Sequence, residues 1–199
     1  MLSDRVIPTI SDGVVTLRAW SPADAAFMAT AFADPEIRRY NGRHDADGYP
    51  GAPLTLAEAT ADIETFAASW RAFARTRRPT GAVFAIADSH TGELAGCTGV
   101  DNWSDAKVAQ IGYWLTPHAR GKGIATRAVL LLTGWLFELG ATHVFLTVVA
   151  GNDASIAVAR RAGFDYEATL PKHSAWMGER LDVLVFGKLP PTEANRPRR

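Results

Sequence analysis

A single mixed α/β domain is what the sequence predicts, on three observations. The chain has 199 residues, 47% of them hydrophobic and 21% charged, enough to bury an ordinary core without disulfides or a structural metal. Short β-rich runs alternate with longer stretches whose apolar residues recur every three or four positions. Glycine and proline stand at the joints between them.

Val14 to Trp20 reads as the first strand. Ser21-Pro22-Ala23-Asp24 offers an N-cap, a proline at the first helical position and an early acid, so a helix should run to about Asp34. Pro35 then stops or resets it. Residues 41–53 hold three glycines and two prolines and should form a loop. Thr55-Leu56-Ala57-Glu58 is a capping box, followed by Ala59, Ile63, Phe66, Trp70 and Phe73 on one face of a helix ending near Arg77. Val83–Ala87, Leu94–Val100 and Val108–Leu115 read as a strand meander, with a hairpin turn at Ser89-His90-Thr91-Gly92. A turn at residues 116–123 precedes a helix to about Leu139, stopped by Gly140. A buried strand at Val144–Val149, a short helix at Asn152–Ala162 and strands near Tyr166–His173 and Arg180–Lys188 complete the domain, residues 1–189. That makes six to seven strands and about four helices. The stretch 190–199, with three prolines, reads as a loose tail.

Lys plus Arg and Asp plus Glu are equal at 21 each, which argues against a protein that coats nucleic acid or an anionic membrane. The N-terminal residues carry no apolar signal core, and no apolar run is long enough to span a membrane, so a cytoplasmic location is the expectation. The one cysteine, Cys97, cannot form an intramolecular disulfide, and no cysteine-rich zinc site exists. Flanked by Leu94-Ala95-Gly96, it reads as a small core residue rather than an acylated nucleophile. No metal is expected.

The segment Arg120-Gly121-Lys122-Gly123-Ile124-Ala125-Thr126 joins a buried strand to a helix start. The first turn of a helix leaves backbone N–H groups unpartnered, and the helix dipole adds positive charge there. Two glycines open the backbone to close approach, no Ser, Thr, Asp or Asn stands just before Gly123 as a cap, and Arg120 and Lys122 add cations. This is a site for phosphate oxygens. A dinucleotide fold would need an acid near the end of the next strand, and the phosphate loop of nucleotide hydrolases needs Gly-x-x-x-x-Gly-Lys-Ser/Thr; neither is present.

Arg120, Gly123 and Ala125 match the Gln/Arg-x-x-Gly-x-Gly/Ala motif of the GNAT acyltransferases. Tyr113-Trp114-Leu115-Thr116-Pro117 resembles the strand before that turn. Asn152-Asp153-Ala154-Ser155 and Ala162-Gly163-Phe164 resemble elements of the RimJ/RimL-like branch, as do Asp34-Pro35-Glu36-Ile37 and Leu54–Ala59. The resemblance covers residues 14 to 188 and implies a GNAT fold with a central, mostly antiparallel mixed sheet. It implies that acetyl-coenzyme A binds as cosubstrate, with its pyrophosphate on Gly121, Lys122, Gly123, Ile124, Ala125 and Thr126 beside Arg120. Leu115, Thr116 and Asn152 would hold the pantetheine arm, Ser155 would sit near the sulfur, and Arg160 would reach the cofactor phosphates.

The chemistry so implied is direct attack of an amine on the thioester in a ternary complex, with Ser155 assisting thiolate departure. RimL-like relatives can carry a glutamate after the Gly-Phe element. Here that stretch, Lys172-His173-Ser174-Ala175-Trp176, has no carboxylate, which leaves His173 as the candidate base. Without a strong base, an acceptor of low pKa is favoured, and a peptide α-amine near 7.7–8.0 suits better than lysine at about 10.4. Tyr40, Trp103, Trp176 and the loop 41–53 are candidates to wall the acceptor pocket, with core packing the competing role for the tryptophans. A small-molecule amine acetyltransferase and a coenzyme A-binding regulator without turnover are the alternatives. A homodimer is compatible with the sequence.

Overall fold

The computed structural model describes residues 7–191. Its strands are β1 (Ile10–Ser11), β2 (Val15–Ala19), β3 (Val83–Asp88), β4 (Leu94–Trp103), β5 (Val108–Leu115), β6 (His143–Val149), β7 (Asp165–Trp176) and β8 (Glu179–Lys188). Its helices are α1 (Ala25–Ala31), α2 (Pro35–Asn41), α3 (Leu56–Thr76), α4 (Ile124–Glu138) and α5 (Asp153–Arg161), with 3-10 turns at Pro22–Asp24 and Pro117–Ala119.

The fold is mixed α/β, with one eight-stranded sheet in the order β1-β2-β3-β4-β5-β6-β8-β7. Every pairing is antiparallel except β5 with β6. The sequence expectation of six to seven strands and four helices falls short by Ile10–Ser11 and by α2. The two residues of β1 are too few to show a period. At α2 the helix expected from Ser21 ends at Ala31, and Pro35 opens a new one, its ring tolerated at the first position while Asp34 Oδ1 accepts from Ile37 N at 2.9 Å. β4 and β7 also run beyond the stretches read from sequence, to Trp103 and Trp176. The expected tail lies, from Thr192 onward, outside the described residues.

The helices cover both faces of the sheet. On one side Ala128, Val129, Leu132 and Leu136 of α4 are buried against Val15, Leu17, Ile111 and Val144. On the other, Met28, Ile37, Ala59 and Ile63 pack with Trp20, Cys97 and Trp114. Helix α3 serves both, because Trp70 near its C-terminal end packs edge-on to Phe84 at 4.8 Å and tilted against Trp135 of α4 at 5.9 Å. Its start is the expected capping box: Glu58 N donates to Thr55 Oγ1 at 3.2 Å and Thr55 N donates to Glu58 Oε2 at 2.8 Å. Among the described residues, no helix is long and apolar enough to cross a membrane.

Two irregularities shape the site. β5 and β6 pair only from Val108↔His143 to Gln110↔Phe145, so the strands part beyond that point. Backbone groups on that side of β5 therefore have no strand partner. In β4, the register against β5 shifts between Val100 and Asn102, so Asp101 is the extra residue of a β-bulge.

Candidate active site

The parting of β5 and β6 opens a cleft of about 760 Å³, a size ordinary for a small-molecule or cofactor site. Its walls come from β5 (Ile111 to Leu115), β6 (Leu146 to Val149), the 121–126 turn, the start of α5 and the α2 residues Glu36, Ile37 and Tyr40.

The turn is built as its sequence requires. Gly121 and Gly123 have φ of 74° and 76°, the left-handed region that favours glycine, and a Cβ at either would meet nothing within 4 Å. The glycines thus serve the turn's path and leave open space beside it. Gly123 is the N-cap of α4 and has no side chain to cap it, so the N–H groups of Ile124, Ala125 and Thr126 lack intrahelical partners. Gly121, Gly123, Ile124, Ala125 and Thr126 all line the cleft, and Lys122 is exposed beside it.

Arg120 also lines the cleft, but its guanidinium is committed to α2: Nη2 donates to Asp34 Oδ1 at 2.7 Å and Nη1 to Glu36 Oε2 at 2.6 Å. Its Nε donates to Leu115 O at 3.3 Å. Burial alone would raise the Asp34 pKa, but the Arg120 pairing and the Ile37 N–H hold it below the usual carboxylate value. Arg120 therefore ties α2, and with it Tyr40, to the glycine turn.

At the start of α5, Asn152 caps the helix by accepting from Ser155 N at 3.1 Å. Both line the cleft. Tyr113 of β5 donates its hydroxyl to Ser155 Oγ at 3.1 Å, and burial raises the Tyr113 phenol above its ordinary pKa.

Several expected residues lie elsewhere. Thr116 is buried, its Oγ1 donating to Ala95 O at 3.0 Å, and it is outside the lining while Leu115 is in it. Arg160 is exposed and outside the lining; its neighbour Arg161 is in it. Trp103 is buried in the α4-side core, where its size makes packing its role. Trp176 stands behind Tyr40, ring centroids 5.1 Å apart, with the Arg39 guanidinium 5.1 Å from the Trp176 ring. Tyr40 alone of those three lines the cleft. His173 is exposed on β7, where the register shifts between Leu170 and Ser174, and is also outside the lining. Cys97 is buried, and desolvation pushes its thiol up to about 12, which keeps it protonated.

The sequence reading missed Asp101. At the bulge in β4 this residue lines the cleft, and Gly112 across on β5 makes room for its carboxylate, since a Cβ there would stand 3.0 Å from Asp101 Oδ2. The residue as a whole is exposed, yet protein packed around the carboxyl desolvates it and pushes its pKa up to about 6. Among the described residues no ion pair offsets that effect. In the sequence Asp101 directly follows the run Leu94–Val100 and precedes Asn102, a polar pair that reads as the end of the strand.

Gly112 and Trp114 face the α1–α3 side of the sheet, so Tyr113 between them faces the α4 side. Asp101 and Ser155 thus reach the cleft from opposite faces. Among the described residues there is no cluster of three or more His, Cys, Asp or Glu that could hold a metal ion.

A splayed parallel strand pair, an uncapped glycine turn and a cleft between them are the arrangement of an acetyltransferase fold. Residues 15–165 match the acetyltransferase (GNAT) domain profile, and the chain belongs to that family of N-acetyltransferases. It is 24% identical over 190 residues to an uncharacterized N-acetyltransferase, YoaA, of Bacillus subtilis, covering 94% of this chain and 100% of that one. Among solved structures, it is similar to Mycobacterium smegmatis RimJ bound to coenzyme A disulfide (26% identity, TM-score 0.74, 92% of this chain and 87% of that one). It also has the fold of RimL, a ribosomal alpha-N-protein acetyltransferase solved with coenzyme A (20% identity, TM-score 0.75, 93% of this chain and 98% of that one).

Proposed function

We propose that this protein transfers an acetyl group from acetyl-coenzyme A to the α-amine of a protein or peptide N-terminus, by direct attack in a ternary complex. The observation that carries the reading is the pair of polar groups facing one cleft from opposite sides of the sheet, Asp101 and Ser155.

Gly121 to Thr126 would present their backbone N–H groups to the pyrophosphate, in the open space beside the two glycines. Leu115, the unpaired side of β5 and the Asn152 amide would hold the pantetheine arm. Arg120 serves the turn by bracing it against α2 rather than by contacting phosphate, and Arg161 is better placed than Arg160 for a cofactor phosphate. Tyr40, backed by Trp176, walls the acceptor end.

The Asp101 carboxylate takes one proton from the acceptor ammonium, the neutral amine nitrogen then bonds to the thioester carbon, and the proton it carries in excess after attack passes to the departing sulfur. Unpaired N–H groups of β5 meet the oxyanion. As the C–S bond breaks, its electron pair leaves with sulfur, which receives a hydrogen bond from Ser155. His173, exposed outside the cleft, takes no part.

The base's pKa bears on the acceptor. A carboxylate near 6 lies about two units below an α-ammonium and more than four below a lysine ammonium, gaps worth about 2.5 and 6 kcal/mol. Proton removal from an α-amine is within reach of this site, and lysine is far harder. RimL, an alpha-N-protein acetyltransferase that shares the fold, supports the same acceptor class.

The test offers the enzyme three sets of acceptors: peptides with free N-termini, N-terminally blocked peptides containing lysine, and polyamines. Acetyl groups are then located by tandem mass spectrometry. Acetyl on α-amines only is the expected result. Acetylation confined to lysine or polyamines would overturn the acceptor assignment.

A further inference from the structure

Ser155 has a hydroxyl partner whose direction matters. Tyr113 OH donates to Ser155 Oγ at 3.1 Å, while Asn152 and the helix start fix the Ser155 backbone through the Asn152 Oδ1 to Ser155 N bond of 3.1 Å. A serine hydroxyl is one donor with two acceptor lone pairs. With the phenol occupying an acceptor position, the remaining donor, the Ser155 O–H, is directed away from Tyr113. Both side chains line the cleft, so the direction away from the tyrosine includes the space in which the acyl donor would lie.

We propose that Tyr113 is a positioning residue for the transfer reaction. It holds Ser155 in the orientation that donates to the departing sulfur, and it polarises the Ser155 hydroxyl by donating into it. This rests on the acetyl-transfer reading above. Burial raises the phenol's pKa, so Tyr113 keeps its proton throughout. The C–S electron pair goes to sulfur, Ser155 supplies a hydrogen bond to it, the ammonium proton goes to Asp101, and the excess proton after attack passes to the sulfur. No proton passes through the tyrosine. The hydrogen bond spans two elements, β5 and α5, that border the parting of the sheet, so it also fixes the α5 start relative to the strand.

The experiment is a double-mutant cycle on full-length enzyme with Tyr113→Phe, Ser155→Ala and the pair, using acetyl-coenzyme A and a peptide acceptor. Tyr113→Phe keeps the ring and removes only the donor. It should lower kcat about three- to tenfold, the size of one neutral hydrogen bond, and leave the KM for acetyl-coenzyme A and the melting temperature nearly unchanged. In the Ser155→Ala background the same change should have no further effect on kcat, because its object is gone. Ser155→Thr retains a hydroxyl and should restore sensitivity to Tyr113→Phe. Additive losses in the double mutant, or a Tyr113→Phe enzyme as fast as wild type, would overturn the proposal while leaving acetyl transfer intact. A wild-type enzyme with no turnover on any amine would instead overturn the reading beneath it, and this inference with it.

Discussion

Asp101 sits at the extra residue of β4, on the face that alternation from Cys97 and Gly99 gives it. The bulge between Val100 and Asn102 moves the residues after it, so that Trp103 reaches the α4-side core while Asp101 stays over Gly112. Gly112 completes the arrangement by leaving space for the carboxyl oxygens. The desolvation that tunes the group has a consequence for stability. The folded carboxyl has a pKa of about 6 against an ordinary 3.8, so the native state binds this proton more tightly than the unfolded chain. The contribution to stability is greatest below pH 4, declines as pH rises through about 6, and is level above that. Asp101→Asn cannot ionise. It should melt above wild type at pH 8 and close to wild type near pH 4, as measured by thermal denaturation. A melting difference of the same size at both pH values would contradict a desolvated carboxylate.

Among the elements, the 121–126 turn and α2 divide the work of shaping one end of the cleft. The turn was legible in sequence because its cues are local: two glycines at positive φ, a missing cap and a helix whose apolar stripe begins immediately after. Helix α2 was not, because seven residues are too few to show a helical period, and what holds α2 in place is a tertiary contact, Arg120 with Asp34 and Glu36. The same contact explains why a motif arginine that reads as a phosphate ligand is turned to carboxylates instead. Gly123→Val tests the turn. Its φ of 76° strains a β-branched residue by about 1–3 kcal/mol, a cost the domain can bear, and the side chain enters the open space beside the helix start. Calorimetry should show acetyl-coenzyme A affinity lowered at least tenfold in a variant that still melts cooperatively. Unchanged affinity would remove the turn from the binding site.

At the scale of the whole sheet, the parallel pairing of β5 with β6, the one such pairing among the described residues, opens the cleft. β5 and β6 pair over three residues and then diverge, and the residues that follow on each strand become opposite walls of one cleft. The order of strands and helices could be read from periodicity, since each element carries its own pattern. The parting of the strands could not, because it depends on register between segments some 35 residues apart, and neither could the meeting of Asp101, Tyr113 and Ser155, which lie on three different elements. For the same reason Trp103 and Trp176 read alike in sequence, yet one fills the core and the other backs Tyr40. His173 is a base by residue type but lies outside the cleft, whereas Asp101 lines it and burial there raises its carboxyl pKa to about 6.

The most direct test of this account is the pH dependence of kcat/KM for the peptide acceptor at saturating acetyl-coenzyme A, in wild type, Asp101→Asn and His173→Ala. The account predicts an acidic limb near pH 6 that stays in place when acceptors of different amine pKa are compared, persists in His173→Ala and disappears in Asp101→Asn along with most of the activity. General-base assistance typically contributes about 10²–10⁴-fold, so the loss would stand well clear of assay error. A limb that tracks the acceptor's own pKa and survives in Asp101→Asn would show that the amine arrives neutral without help from this carboxylate. A limb lost with His173 would move the base to the exposed bulge of β7, and either result would contradict the assignment of Asp101.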